Sequence, residues 1–208
     1  MNSPTIDALT VRPPRTREEI LLELARLAAE VERVAGRFDT ATFFAPQMED
    51  GTLRWSPAEQ VRHLTKSTYP LARAYGLPRF LLLLRFGLSL RPSAGYVELD
   101  ARYTRLLESR PDSGRYAPRP EQRRDDERRA EIMAHWRDAI SRLSQAAGTW
   151  SERALDRFRL PHPLLGHLTT REMLFFTVFH TSHHGRQMAR RAAAQDAAPL
   201  SPPRPASP

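Results

Sequence analysis

The sequence predicts an all-α protein: a four-helix bundle with a long crossover carrying short helices between helices two and three. Three observations carry that prediction. Four segments repeat apolar residues at helical spacing, three of them open on a serine or threonine followed three residues later by glutamate, and the gap between the second and third is too long for a simple up-down turn. The expected organisation is an N-terminal lead at 1–15, a bundle domain at 16–194 and a disordered tail at 195–208, where five prolines fall among the last twelve residues.

The first helix follows Thr16-Arg17-Glu18-Glu19, which has the form of a capping box. Ile20, Leu24, Leu27, Val31 and Val34 then form one apolar stripe, and Gly36 is a plausible stop. Residues 37–54 read as a loop. Ser56-Pro57-Ala58-Glu59 opens the second helix with a cap, a proline at the first helical position and a glutamate at the third. That helix is expected to reach about Thr68, where Pro70 kinks or ends it. Short helices are expected in 71–90 and 98–107, on either side of a break at Arg91-Pro92-Ser93-Ala94-Gly95. Pro120-Glu121 reads as the start of the third helix, with Ile132 or Met133, Trp136, Ile140, Leu143 and Ala147 as its stripe and Gly148 as its end. A short segment from Trp150 to Phe158 leads to a third box, Thr169-Thr170-Arg171-Glu172, and a fourth helix running to about Ala194. Its first half is apolar on nearly every side. Phe175, Val178 and Phe179 are therefore expected to pack partly on the crossover and partly on a second subunit, giving a homodimer.

Composition removes several chemistries. With no cysteine there is no disulfide, thiolate metal site, iron–sulfur cluster or cysteine nucleophile. The longest apolar run, Phe80 to Leu90, is interrupted by Arg85 and Gly87 and is far short of the ~20 residues of a membrane span, so no membrane partner is expected. The N-terminus has no charged start followed by an apolar run, and a cytoplasmic location is the expectation. The net charge of +8 suggests nucleic acid at first sight. The basic residues are spread along the chain, however, and the densest cluster, residues 122–129, is interleaved with acids. It reads as a solvated helix face, and a nucleic-acid partner is not expected.

Chemistry concentrates in His180-Thr181-Ser182-His183-His184. His180 and His184 are four apart, about 40° from each other on a helix, together with Met173, Phe176 and Gln187. His183 lies roughly 100° from His184 and is the expected non-ligand. His63 on the second helix supplies a third imidazole, and three would leave a coordination position open for water or substrate. Alone, His63 reads more readily as a partly buried, hydrogen-bonded histidine than as a ligand. Glu59, one turn before it, is either a catalytic base or simply the partner of Ser56 in the cap. His135 is expected at the surface or an interface; His162 and His167, in a loop leading to the fourth helix, either line a site mouth or, as is more usual for loop histidines, are solvated. Protons should compete for such a site near pH ~6.5.

Two motifs resemble those of the DinB-like (YfiT-like) metalloenzymes. One is Trp55-Ser56-Pro57-Ala58-Glu59-Gln60-Val61-Arg62-His63-Leu64; the other runs from His162-Pro163-Leu164-Leu165-Gly166-His167-Leu168-Thr169 through Glu172 and Phe176 to His180-Thr181-Ser182-His183-His184-Gly185-Arg186-Gln187. Tyr103 to Pro120 resembles the family's Tyr-containing stretch more loosely. The resemblance implies a four-helix bundle holding one divalent metal ion, usually zinc or nickel, on three histidines that correspond to His63, His180 and His184. It further implies a metal-dependent transferase acting on a small-molecule substrate with a low-molecular-weight thiol such as bacillithiol, mycothiol or glutathione. A metal-activated hydrolase and a non-catalytic, metal-stabilised binding module are the alternatives.

Overall fold

The structure, a computed structural model, describes residues 4–49, 51–109 and 118–197. Four long helices form the bundle: α2 (Arg17–Ala35), α4 (Pro57–Gly76), α7 (Asp126–Gly148) and α9 (Thr170–Ala197). The pairs α4–α7 and α2–α9 pack most extensively, and α2–α7 and α4–α9 close the ring. Helices consecutive in the bundle, α2 with α4 and α7 with α9, therefore lie across diagonals. The chain crosses the first diagonal through α3 (Thr40–Phe44) and a hairpin, β1 (Gln47–Glu49) with β2 (Thr52–Arg54). It crosses the second through α8 (Glu152–Arg157) and another hairpin, β3 (Arg159–His162) with β4 (Gly166–Thr169). The long crossover between α4 and α7 carries α5 (Arg79–Phe86) and α6 (Tyr96–Ser109).

The helix starts follow the capping chemistry. Thr16 and Ser56 each accept from the backbone N–H of the glutamate three residues on, and that glutamate accepts from the cap residue's own N–H. Thr169 and Glu172 exchange the same pair of bonds, at 3.2 and 2.8 Å, where α9 begins. The stripes of α2 and α7 form the core, with Ile20, Leu24, Leu27, Val31, Trp136 and Leu143 fully buried.

Several expectations are corrected. Residues 37–54 are not plain loop but hold α3 and the first hairpin, because Asp39 caps α3 and Phe43 and Phe44 enter the core. Pro70 does not end α4. The helix runs on to Gly76, since Leu71, Ala72 and Tyr75 are buried beyond it and that burial outweighs the one backbone bond a proline forfeits. The third long helix starts at Asp126, not at Pro120-Glu121, because Asp125 supplies the cap by accepting from the N–H of Arg128. The segment expected as a loop around His162 is a hairpin. Phe175, Val178 and Phe179 are all buried inside the chain. Tyr96 meets Phe175, and Tyr103 meets Phe179, both edge-to-face from α6. The surface from which the homodimer was expected is thus covered by the crossover. The Pro-rich tail from 198 on lies outside the described residues, as does most of the Tyr-containing stretch after Ser109.

The N-terminal lead is also more than a frayed end. It forms the short helix α1 (Pro4–Asp7), and Leu9 is fully buried against α9. Ser182 donates to the Leu9 carbonyl at 2.6 Å. Gly185 makes the approach possible, since a Cβ there would stand 2.7 Å from Leu9 Cδ2. Leu9→Ala should destabilise the protein by about 2–4 kcal/mol in chemical denaturation. A loss well under 1 kcal/mol would mean that the lead only rests on the bundle.

Candidate metal centre

The site forms where α4 crosses α9, one and a half turns into α4 and near the middle of α9. His63, His180 and His184 are all buried, and one ring nitrogen from each falls within a sphere of contacts no wider than 4.8 Å. His180 Nε2 lies 2.9 Å from His63 Nε2 and 3.2 Å from His184 Nε2. Imidazoles sharing one ion at ~2.0–2.1 Å stand ~2.9 Å apart in octahedral and ~3.3 Å apart in tetrahedral geometry, so the spacing suits a shared cation.

The remaining ring nitrogens explain the orientation. His184 Nδ1 faces Gln60 Oε1 at 3.4 Å, an acceptor, so Nδ1 carries the proton. His180 Nδ1 faces Ser67 Oγ at 3.5 Å. The Ser67 hydroxyl already donates to the Leu64 carbonyl at 2.9 Å and so offers His180 a lone pair. Both contacts are long, but both select the tautomer that leaves an Nε2 lone pair turned to the common point. Trp55 lies against His63 at 4.9 Å and stacks on His184 at 6.0 Å, and Phe176 stacks on His180 at 5.0 Å. Burial, reinforced by the neighbouring imidazoles, pushes the pKa of His180 and His184 well below the usual histidine value. Both rings are therefore neutral, donor-ready ligands even in mildly acidic solution. Proton competition sets in below the ~6.5 expected from an unperturbed histidine.

The other candidates separate. His183 is only partly buried; its ring meets His184 edge-on at 5.2 Å, but its Nε2 faces Gln187 Nε2 at 2.9 Å rather than the other three imidazoles. Gln187 is exposed at the edge of the same face, where its side chain also reaches His184. Burial, with Arg186 and Arg190 nearby, lowers the His183 pKa to about 4. Glu59 is occupied: its Oε2 accepts from Ser56 N at 2.8 Å and from Ser56 Oγ at 2.9 Å. His135 and His167 are exposed.

Sequence reasoning missed His162. It is buried, not solvated, and packs edge-on to Phe176 at 4.3 Å and Tyr103 at 5.9 Å. Its Nδ1 accepts from the backbone N–H groups of Leu164 and Leu165 at 3.2 and 3.1 Å, closing the second hairpin. The following Pro163-Leu164-Leu165-Gly166 turn was the available signal. Glu172 also does more than cap α9. Fully buried, it takes a bidentate contact from Arg91 at 2.5 and 2.8 Å and the N–H of Ala94 at 2.6 Å, tying the crossover to the start of α9. Burial pushes its carboxyl up, but Arg91 and the backbone donors outweigh that and hold it below the usual range.

A bundle whose buried imidazoles converge at a helix crossing defines a class: helical proteins able to hold a metal ion on three histidines. Residues 23–188 match the DinB superfamily model, and the chain belongs to that superfamily. Its fold is similar to that of YfiT from Bacillus subtilis, a probable metal-dependent hydrolase with an unusual four-helix bundle topology, at a TM-score of 0.53 and 16% identity over 90% of this chain and 93% of that one. No curated protein matches the chain.

Burial lowers the His162 pKa to about 4, so the folded protein stays unprotonated there while an unfolded chain takes up a proton below pH ~6.5. Stability is then present above that pH and is lost as pH falls from ~6.5 towards 4, at about 1.4 kcal/mol per unit. Between pH ~7.5 and ~5.5 the metal-stripped protein should lose about 1 kcal/mol more than His162→Asn, in which the side-chain carbonyl can still accept from the turn. Equal losses in denaturation at the two pH values would show that His162 is not buried as a neutral ring.

Proposed function

We propose that this chain is a metal-dependent enzyme in which His63, His180 and His184 hold one divalent ion, zinc or nickel, and that it transfers a low-molecular-weight thiol to a small electrophilic substrate. The convergence of the three buried Nε2 atoms carries this reading. An all-imidazole donor set suits zinc and nickel, and three protein ligands leave room for a fourth. Bound there, the ion would lower the pKa of a thiol or water in that open position.

The chain's own groups support the thiol over water. No carboxylate joins the cluster among the described residues, and Glu59, the base that the sequence offers, is held in its cap. A thiol, being far more acidic than water, needs less help from a base. Gln60 and Ser67 hold two of the rings in register, and Trp55 and Phe176 shield the cluster with apolar surface. Arg186 and Arg190, whose charges bear on His183 beside His184, would receive the carboxylates that such thiols carry. Hydrolysis is the second reading, favoured by the description of YfiT as a probable metal-dependent hydrolase.

Metal-loaded protein should conjugate bacillithiol, mycothiol or glutathione to a model electrophile. His63→Ala, His180→Ala and His184→Ala should lose both metal and conjugation, and His183→Ala should keep its metal. Turnover of small esters or amides without any thiol would favour the hydrolase. Full metal content with no turnover of either kind would leave a binding module.

A further inference from the structure

The helix α5 carries more apolar side chain than the fold uses. Only Leu82 is buried, with Phe86 partly covered, while Phe80, Leu81, Leu83 and Leu84 are exposed, Leu84 at 78%. At ~100° per residue, Phe80 and Leu84 point roughly opposite to Leu82 and Phe86, with Leu81 between them and Arg85 to one side. Leu77, just before the helix, and Leu90, just after it, are exposed too. A surface helix of a bundle ordinarily turns polar residues outward; this one is apolar on the side that meets solvent.

The stretch of sequence that contains it carries charge of one sign. From Gln60 to Val97 the sequence holds no aspartate or glutamate but six basic residues: Arg62, Lys66, Arg73, Arg79, Arg85 and Arg91. Arg91 is paired with Glu172. Arg79 lies over the Trp150 ring and Arg85 over the Phe86 ring, contacts that leave their charge intact. Among the described residues neither makes an ion pair, nor does the exposed Arg73.

We propose that α5 docks this protein on the surface of an anionic phospholipid bilayer, with Phe80, Leu81 and Leu84 entering the headgroup boundary and Arg73, Arg79 and Arg85 meeting lipid phosphates. Apolar side chains beside unpaired arginines are what such a surface attracts. A second copy of the chain is disfavoured, because a two-fold contact centred on α5 would bring these arginines towards their own copies with no acid from residues 60–97 between them. No helix among the described residues is long and apolar enough to cross a membrane, so the docking is peripheral. The absence of a spanning segment, which argued against a membrane partner, places no limit on a surface contact. The site at His63 is ~20 Å back along α4, at ~1.5 Å per residue, so the patch can be altered without touching the imidazoles.

The test is cosedimentation of the full metal-loaded chain with vesicles of equimolar phosphatidylglycerol and phosphatidylcholine, against vesicles of phosphatidylcholine alone. The chain should bind the anionic vesicles and fall off as salt rises. Phe80→Ser with Leu84→Ser should weaken binding roughly tenfold or more, with circular dichroism and metal content unchanged, since both positions are exposed. Arg73→Gln with Arg85→Gln should weaken it also and flatten the salt dependence. Equal binding to both vesicles, or binding that neither double variant changes, would overturn the proposal. So would a dimer in sedimentation equilibrium that Phe80→Ser with Leu84→Ser dissolves while no vesicles are bound.

Discussion

Three imidazoles buried side by side set the terms on which α4 and α9 meet. A buried polar ring without partners is costly, and three with their lone pairs turned to one point are more so. The arrangement holds because the register of the two helices is set elsewhere. Ser56 starts α4 seven residues before His63, and Thr169 starts α9 eleven before His180, each through a capping box. At the far end of the pair, the Tyr75 hydroxyl donates to the Thr170 carbonyl, and Trp150 Nε1 donates to the Tyr75 carbonyl at 3.0 Å. Glu172 then binds the crossover to the same helix start. Each contact lies away from the cluster, so the imidazoles are held in place without supplying the stability themselves.

What could be read in the sequence was whatever has a period or a local partner. The stripes of α2 and α7, the three capping boxes and the shared direction of His180 and His184 all repeat at helical spacing or close within four residues, and the structure keeps them. Pro70 was misread because proline is a strong local signal against a helix, whereas the burial that overrides it, at Leu71 and Tyr75, comes from α4's neighbours. His162 was misread for a similar reason. A histidine beside a proline looks solvated until the hairpin folds it against Phe176 and Tyr103. The contact of Arg91 with Glu172 spans 81 residues and has no local signature.

Charge was legible in one place and overlooked in another. In the segment before and at the start of α7, Arg128 pairs with Glu121 and Glu131 and Arg123 with Asp125, Glu127 and Glu131, as the alternation with acids implies, while Arg124 and Arg129 donate to the Glu121 and Ala35 carbonyls. Such exposed pairs contribute little to stability and mainly keep the face solvated. The long acid-free stretch from Gln60 to Val97 is equally visible in the sequence, but its meaning depends on which way the leucines of α5 face, and only the packing of Leu82 and Phe86 against the rest of the protein decides that.

The central claim is that one ion sits on three imidazoles at the crossing of α4 and α9. X-ray absorption spectroscopy at the edge of the metal that copurifies with the chain tests it most directly. The expected spectrum shows three imidazole nitrogens at ~2.0–2.1 Å, with the outer-ring scattering of histidine and one or more lighter atoms from an exchangeable ligand. A shell of carboxylate oxygens alone, or one containing fewer than three imidazoles, would contradict it.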